Sequence, residues 1–388
     1  MGPFTLLPAL LATLAAASTL NQANNSTFQG MSQGGLAALN AAMHSWVDSG
    51  KGANMVTLLA HKGEIVNHDA YGSFSANDKA NKVKKDSIYN IMSMTKPISG
   101  IAMMTFYEEG KFKLDDLVSK HIPEFANLKV KSGGNLVAPK TQPTMAQLLS
   151  HSAGFPNTML ATGATLKAAI PAIAKDNLAF QPGTDWRYGP GVEIQGALME
   201  KWAGKDFADI LSERLLKPLG MNDTNFWVPT EKRSRLVPSA MTAPKSKPAR
   251  IIPSYGLHST AEDYWRICQM VLNGGEFKGK RYLKKETIDL MRTNVLQMDK
   301  GVYVNFMGGG KGVGFGLDFA VVVDTAPTKN NMPKDSFFWG GAFGTWFWID
   351  PTNEVVFVGL VNTIAGGLSG DATLRQTSAK ATYDALRR

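Results

Sequence analysis

Apolar residues recur at helical spacing near the start of the chain and at strand spacing soon afterwards. From Leu36 to Trp46 they fall three or four positions apart, which predicts an amphipathic helix. Two extended runs, Met55 to Ala60 and Ile65 to Tyr71, flank the turn residues Lys62 and Gly63 and predict a β-hairpin. The fold is therefore expected to open with a helix followed by two strands.

The middle of the chain and its last quarter differ in patterning. The middle is mainly helical, with helices predicted at Ile98 to Tyr107, Val192 to Trp202, Phe207 to Leu215 and Ala261 to Leu272. A closing helix is predicted at Ala372 to Leu386. Between them, β-branched and aromatic runs predict strands at Phe315 to Val323, Phe337 to Trp339, Thr345 to Ile349 and Val355 to Val361.

Strands at both chain ends with helices between them predict a mixed α/β (α+β) fold. An antiparallel sheet built from both ends would be flanked by helices and would carry a mainly helical lobe. We assign residues 31–90 and 300–388 to the sheet domain and residues 91–299 to the helical domain. The active site is expected in the cleft between the two domains.

Residues 1–30 are predicted to be a leader and linker. Residues 4–20 are rich in leucine and alanine, and the small residues at 15–18 suit cleavage of a signal peptide. Polar residues and Pro8 interrupt the run, so we expect no stable membrane span. No lysine or arginine precedes the run, which leaves a non-native leader or a retained helix as alternatives. The expected location is periplasmic or secreted, or cytoplasmic if the leader is not a signal.

Composition narrows the classes of function. A chain of 388 residues with 44% hydrophobic and 19% charged residues is typical of a globular protein. The single cysteine, Cys268, excludes an intramolecular disulfide. The net charge is +9, yet the basic runs at residues 79–85 and 245–250 contain no aromatic residues for base stacking, so we predict solvated loops and no nucleic-acid partner. The six histidines are scattered without a metal-binding spacing, and no metal or cofactor is expected.

Two serine motifs compete for the role of nucleophile. Residues Gly30 to Gly34 match G-x-S-x-G, but a polar linker precedes them where a nucleophile elbow needs a strand. Ser93 and Lys96 form the only S-x-x-K of the chain, between a β-like run at 87–91 and a predicted helix. Three residues are about one helical turn, so the hydroxyl and the amine would face the same side at a helix N-terminus.

A serine hydroxyl needs a base to act as a nucleophile near neutral pH. A lysine that burial keeps unprotonated, or a base that the lysine supports, would supply it. The same four residues would also fit an ordinary helix start with a solvated lysine, so the motif needs support from the rest of the chain.

That support comes from a series of landmarks in a fixed order. With them the chain resembles the serine β-lactamase and penicillin-binding-protein superfamily, and above all the class C β-lactamase-like carboxylesterases called family VIII esterases. The resemblance extends from about Leu36 to Leu386. Its landmarks besides Ser93 to Lys96 are Leu148 to Gly154, Gln181 to Tyr188, Pro218 to Met221, Gly256 to Ala261 and Trp339 to Ala342.

The resemblance implies a role for each motif. Ser93 corresponds to the acylated nucleophile, and Tyr188 to the tyrosine that accepts the serine proton as a phenolate and later activates water. Lys96 would favour that phenolate by its charge and share the proton. The backbone N–H groups of Ser93 and Ala342 would form the oxyanion hole.

Further residues are predicted to bind substrate. Trp339, Gly340 and Gly341 stand where penicillin-recognising relatives carry a Lys-Thr-Gly-type strand, and the glycines would let this strand approach the substrate. Phe155 and Phe343 are candidates for the acyl pocket, with the hydrophobic core as the alternative location. The loop around His151 is expected to be structural.

Two departures from the family pattern favour esters over β-lactams. β-Lactamases of this class carry Tyr-x-Asn, whose amide binds the antibiotic, whereas Pro190 occupies that position here. They also carry a lysine that binds the substrate carboxylate, where this chain has Trp339. Neither departure touches the acylation machinery.

The sequence therefore predicts a serine carboxylesterase that hydrolyses short- to medium-chain acyl esters through an acyl-enzyme on Ser93. The partner is a small-molecule ester, and the oligomeric state is not predicted. Alternatives on the same scaffold are a weak β-lactamase, an amidase or D-aminopeptidase, and an acyltransferase. A catalytically inert binding or assembly protein is the alternative outside the enzymes.

Overall fold

Strands and helices alternate along a chain whose two ends meet in one sheet. The computed structural model describes residues 27–156, 165–306, 309–328, 330–363 and 371–386. The strands of the described residues are β1 (Thr27–Phe28), β2 (Met31–Ser32), β3 (Asn54–His61), β4 (Glu64–Ser75), β5 (Asp78–Lys82), β6 (Tyr89–Asn90), β7 (Val130–Ser132), β8 (Asn135–Val137), β9 (His258–Ser259), β10 (Glu276–Phe277), β11 (Lys280–Arg281), β12 (Val313–Phe315), β13 (Ala320–Val322), β14 (Phe337–Gly340), β15 (Trp346–Asp350) and β16 (Val355–Leu360).

The helices fill most of the middle of the chain and flank the sheet at both ends. Short 3-10 turns occur as well, at Met92–Met94, Pro123–Phe125, Thr230–Arg235 and Met298–Lys300. In the described part of the chain the α-helices are α1 (Gln33–Asp48), α2 (Thr95–Glu108), α3 (Val118–His121), α4 (Met145–Leu149), α5 (Leu166–Lys175), α6 (Gly191–Ala203), α7 (Phe207–Leu211), α8 (Ala261–Leu272), α9 (Lys285–Arg292) and α10 (Ala372–Ala385).

Eight antiparallel strands form the main sheet. Their spatial order is β12-β13-β14-β15-β16-β3-β4-β5, so residues 54–82 and 313–360 lie in one sheet. The two chain ends join where β16 pairs with β3, with Leu360 opposite Val56. This pairing confirms the predicted sheet built from both ends of the chain.

Helices cover both faces of this sheet. On β15, Trp346 donates its indole N–H to Ser378 of α10 at 3.2 Å, whereas the ring of Phe347 packs on Tyr264 of α8 with centroids 5.0 Å apart. Successive residues of a strand point to opposite faces, so α10 and α8 lie on opposite sides of the sheet. All eight residues of β3 are buried for the same reason.

The opening helix, the hairpin and the closing helix lie where the sequence predicts them. Ser32, the serine of the G-x-S-x-G match, is the N-cap of α1, and its Oγ accepts the N–H of Gly35 at 3.1 Å. Its hydroxyl thus satisfies a helix end. The helices predicted over Val192 to Trp202 and Ala261 to Leu272 correspond to α6 and α8.

Two details of the sequence interpretation, the strand after residue 315 and the loop at residues 79–85, were wrong. The run Phe315 to Val323 is two strands, because the chain turns back at Gly316 to Phe319 and Asp318 takes a left-handed φ of +60°. The helical stretch predicted over Phe207 to Leu215 is confirmed, as an α-helix to Leu211 that continues in a π turn, Ser212–Leu216. Lys79 and Lys82 are exposed, as predicted, but they lie in edge strand β5 and not in a loop.

The predicted leader, residues 1–26 of the 1–30 segment, lies outside the described residues. Within the described ranges, no helix combines the length and the apolar character that crossing a bilayer requires.

Candidate active site

Ser93 lies in a tight turn that leads directly into α2. The residue before it, Met92, has a φ of +46°, a left-handed conformation that side-chain-bearing residues rarely adopt. The Met92 N–H donates to Asn90 Oδ1 at 3.0 Å, and the Met92 carbonyl accepts the Thr95 hydroxyl at 2.7 Å. Neighbouring side chains therefore fix the backbone on which Ser93 stands, at the N-terminal end of the helix.

The amine of Lys96 is close to the hydroxyl of Ser93. Lys96 is 4% exposed, and its Nζ donates to Ser93 Oγ at 3.3 Å and to the carbonyl of Ser254 at 2.9 Å. The serine and the lysine face the same side of the turn, as their spacing predicts. The alternative of a solvated lysine is wrong, because burial removes this amine from water.

Tyr188, which comes from a distant part of the chain, lies beside the amine of Lys96. Lys96 Nζ lies 4.4 Å from the centroid of the Tyr188 ring, within the range of a cation–π contact. The buried Tyr188 hydroxyl has no hydrogen-bond partner among the residues that the structure describes. Buried polar groups without partners are rare in folded proteins, and a catalytic role is one physical reason for a protein to retain such a group.

A neutral histidine packs against the tyrosine. Burial, and then the charge of Lys96, lower the pKa of His151 to about 3. The ring of His151 lies 4.9 Å from that of Tyr188 and 5.5 Å from that of Phe315. His151 therefore contributes a neutral aromatic surface at physiological pH and carries no charge that competes with Lys96.

The end of β14 lies against the turn that carries Ser93. A Cβ placed on Gly341 would come within 2.2 Å of Thr345 Oγ1 and 2.6 Å of the Ile91 carbonyl oxygen. Thr345 Oγ1 also donates to the Ile91 carbonyl at 3.2 Å. Only glycine fits at this position, and it brings the backbone leading into Ala342 next to the nucleophile turn.

A sequence model of the family described as Beta-lactamase matches residues 38–379 of the chain. The match covers most of the chain and contains Ser93, Lys96, Tyr188 and Gly341.

The chain belongs to the beta-lactamase family.

Similar proteins include esterases. Protein Rv1367c of Mycobacterium tuberculosis is 28% identical over 360 residues, which cover 83% of this chain and 88% of that protein. Esterase EstB of Burkholderia gladioli is 23% identical over 367 residues, which cover 82% and 88%. Among solved structures, EstCE1, described as a hydrolase with promiscuous acyltransferase activity, matches with a TM-score of 0.76 and 23% identity, over 90% of this chain and 98% of that one.

These findings confirm the predicted resemblance and the predicted β-lactamase/transpeptidase-like fold. This beta-lactamase family member is an enzyme of the serine hydrolase class. The alternative of an inert binding protein is therefore not retained.

Two positions of this beta-lactamase family member differ from the penicillin-recognising pattern. Pro190 is the N-cap residue of α6 and makes no side-chain hydrogen bond. Trp339 is 2% exposed, and its ring lies 5.6 Å from that of Tyr188 and 5.4 Å from that of Phe315. Where a lysine would carry a charge towards the substrate, the strand instead carries an indole that packs against Tyr188.

The other two predicted pocket residues are also well covered. Phe155 is 4% exposed and packs edge-on against Phe125, with centroids 5.3 Å apart. Phe343 is 5% exposed, and its carbonyl accepts the N–H of Thr363 at 3.0 Å. The substrate-binding roles of Phe155, Phe343 and Trp339 stay predictions.

Sequence reasoning missed several residues of this site. Phe306 is partly exposed, and its ring lies 5.2 Å from that of Tyr188. Ser254 supplies the carbonyl that accepts from the Lys96 amine, and its hydroxyl donates to the buried carboxyl of Glu193. Asp318 is a second buried carboxyl, on which the charge of Lys96 acts. Burial raises the pKa of Asp318 well above its usual range, although the charge of Lys96 opposes that shift. The left-handed turn at Asp318 is marked in the sequence only by Gly316 and Asp318, two turn-forming residues inside an otherwise apolar run.

Proposed function

We propose that this enzyme is a serine carboxylesterase that hydrolyses short- to medium-chain acyl esters through an acyl-enzyme on Ser93. The observation that carries the proposal is the convergence of three groups. Ser93 Oγ lies 3.3 Å from Lys96 Nζ, and that amine lies 4.4 Å from the ring of Tyr188, whose hydroxyl is buried without a partner in the described part of the chain.

In acylation, the Ser93 hydroxyl gives its proton to the Tyr188 phenolate while Oγ bonds to the ester carbonyl carbon. Protonated Lys96 stabilises the phenolate before the transfer. The carbonyl oxygen becomes an oxyanion, which the backbone N–H groups of Ser93 and Ala342 receive. When the carbonyl re-forms, the ester C–O bond breaks and the departing alcohol oxygen takes the proton from Tyr188.

In deacylation, water takes the place of the Ser93 hydroxyl as the nucleophile, and Ser93 Oγ becomes the leaving group. Tyr188, again a phenolate, takes a proton from water, and the hydroxide oxygen bonds to the acyl carbon. Collapse of the second tetrahedral intermediate breaks the bond to Ser93 Oγ, which recovers the proton from Tyr188. The acid leaves, and the enzyme returns to its starting state with every proton accounted for.

The surroundings of the site support an uncharged ester as the substrate. Pro190 cannot donate the amide hydrogen bond that β-lactam recognition uses, and Trp339 offers no cation for a substrate carboxylate. The ring of Phe306, which is partly exposed and lies 5.2 Å from that of Tyr188, offers an apolar contact to an acyl chain. Losing two polar anchors would cost about 2–4 kcal/mol of β-lactam recognition.

The test is turnover of p-nitrophenyl esters from acetate to octanoate by the wild type, Ser93→Ala and Tyr188→Phe, with nitrocefin alongside. We expect ester hydrolysis by the wild type, a loss of about 1,000-fold or more in both variants, and slow or absent nitrocefin hydrolysis. Nitrocefin turnover equal to ester turnover would contradict the preference for esters. Full activity of Tyr188→Phe would contradict the assigned base.

A second candidate activity is acyl transfer, which the likeness to EstCE1 supports. The two activities share the acyl-enzyme and differ in whether water or another alcohol accepts the acyl group. Adding an alcohol to the ester assay and measuring the new ester against free acid separates them. An amidase or D-aminopeptidase would be recognised by turnover of p-nitroanilides at rates that match the esters.

A further inference from the structure

A loop far along the chain is bound to the helix that carries Lys96. The Ser99 hydroxyl donates to the carbonyl of Pro253 at 2.7 Å, and the Leu257 N–H donates to Thr95 Oγ1 at 3.2 Å. Between these two contacts, Lys96 Nζ donates to the carbonyl of Ser254 at 2.9 Å. The loop from Pro253 to Leu257 thus provides a fixed acceptor for the amine.

The hydroxyl of Ser254 is held in turn by a buried carboxyl. Ser254 is 4% exposed, and its Oγ donates to Glu193 Oε1. Glu193 is 8% exposed and is the third residue of α6, the helix that starts just after Tyr188. Ser254 is therefore bound on two sides, through its carbonyl to Lys96 and through its hydroxyl to the helix that follows the tyrosine.

We infer that Glu193 is a positioning residue for the proposed reaction and acts on Lys96 through Ser254. A lysine side chain has four rotatable bonds, so its amine needs a fixed acceptor to stay beside the nucleophile. Glu193 fixes the Ser254 residue, and the Ser254 carbonyl holds Nζ at 3.3 Å from Ser93 Oγ. The hydrogen bond between Ser254 and Glu193 also ties α6, the helix that follows Tyr188, to the loop that is bound to α2, the helix that carries Lys96.

This role rests on the proposed function and differs from that of a polar pair that only stabilises the fold. A structural pair would change the free energy of unfolding and leave the rate of acylation alone. A positioning pair changes the reaction rate of Ser93 while substrate affinity stays almost the same. The hydrogen bond needs an acceptor at residue 193 but not its charge, so glutamine should replace glutamate.

The experiment compares Glu193→Ala, Glu193→Gln, Ser254→Ala and the double variant Glu193→Ala/Ser254→Ala. The readouts are the rate at which a fluorophosphonate labels Ser93, kcat and KM on p-nitrophenyl butyrate, and thermal unfolding. Glu200→Ala is the matched control, because Glu200 also lies in α6 but its carboxyl accepts the N–H of Phe207 at 3.0 Å and not the Ser254 hydroxyl.

We expect Glu193→Ala and Ser254→Ala each to slow labelling and kcat by about 10- to 100-fold, with KM within about twofold. Glu193→Gln should keep the rate within about threefold. The double variant should be no slower than the slower single variant, because both substitutions remove one link. Glu200→Ala should label at the wild-type rate.

Wild-type labelling of a folded Glu193→Ala variant would overturn the inference, as would a Glu193→Gln variant as slow as Glu193→Ala. Additive effects in the double variant would also overturn it. If Glu193→Ala does not fold, Ser254→Ala and Glu193→Gln decide the question by the same criteria. A wild-type protein that takes no label would overturn the proposed function and this inference with it. A wild type that takes the label, with variants that fail the criteria above, would overturn this inference alone.

Discussion

Two buried aspartates, one at the end of a strand of the main sheet and one in a turn between two of its strands, differ in how their carboxyl groups are satisfied. Asp350, at the end of β15, accepts four hydrogen bonds, from Thr352 N at 2.9 Å, Asn353 N at 3.1 Å, Asn353 Nδ2 at 2.6 Å and the Tyr383 hydroxyl at 3.0 Å. Asp318 accepts one, from Gln195 Nε2 at 3.3 Å, and the described residues offer its other oxygen no donor.

Asp350 is a structural carboxyl, whereas Asp318 lies against the helix of the active site. Asp350 holds a turn and the closing helix in place, and every lone pair that it needs is used. Asp318 packs against α2, where a Cβ on Gly100 would meet its Oδ2 at 2.5 Å, one turn beyond Lys96. The active-site side of the fold thus accepts an unsatisfied group, at a cost in stability that the rest of the fold has to offset.

Asn substitution at Asp350 is expected to have the largest effect on stability. The amide nitrogen would face donors that now bind a carboxylate oxygen, so Asp350→Asn should lower the free energy of unfolding by about 2–4 kcal/mol. Urea unfolding measures the loss, and the folded variant should keep its esterase activity. A loss below about 1 kcal/mol would show that the four bonds do not make Asp350 different from Asp318.

Alanine at Gly341 should lower activity, the property tied to the active-site side of the comparison, besides the cost in stability of crowding a buried position. The new Cβ would push the strand away from Thr345 and Ile91 and move the N–H of Ala342, so kcat/KM should fall by about 100-fold. Initial rates on p-nitrophenyl butyrate measure this. Gly204→Ala is the control, because Gly204 lies at the C-terminal end of α6, with a φ of +63° and open space around it. Equal activity losses in the two variants would contradict an oxyanion role for this strand.

Acid should weaken the fold through His151. Because burial lowers its folded pKa to about 3, the unfolded chain binds a proton below pH 6.5 that the folded chain refuses. Stability should therefore fall as pH drops from 6.5 to 4.5, by about 1.4 kcal/mol per pH unit from this residue. Unfolding of the wild type and His151→Asn at several pH values isolates the contribution. Parallel pH profiles of the two proteins would contradict it.

Asp318→Asn should have the smallest effect on stability. The pH dependence of the Asp318 contribution should be opposite to that of His151. Burial raises the folded pKa of Asp318, so the folded chain keeps a proton that the unfolded chain loses above pH 4. The wild type should lose stability relative to Asp318→Asn as pH rises from 4 through the folded pKa. Near pH 5 the two proteins should differ by about 1 kcal/mol or less. A loss as large as that of Asp350→Asn would contradict the distinction drawn between the two aspartates.

Much of the fold was predictable because its signals are local. The periodicity around Leu36 to Trp46, the Lys62–Gly63 turn and the aromatic runs of β14 to β16 each depend on neighbours in sequence. The turn at Asp318 was missed because the apolar residues on both sides outweigh its two turn-forming residues, Gly316 and Asp318. Edge strand β5 was missed because all five of its residues are exposed and polar patterning is typical of loops.

The sequence by itself determined the Ser93–Lys96 pair, because three residues of spacing across a helix start bring two side chains together without help from the rest of the chain. The landmarks around Tyr188 and Gly341 placed the chain in its family. Only the tertiary structure decided what surrounds Lys96. Ser254, Glu193 and Asp318 come from separate segments. Only folding places the Ser254 carbonyl on the buried amine, the Glu193 carboxyl on the Ser254 hydroxyl, and Asp318 within range of the charge of Lys96. No periodicity encodes such contacts, since they depend on how distant elements pack.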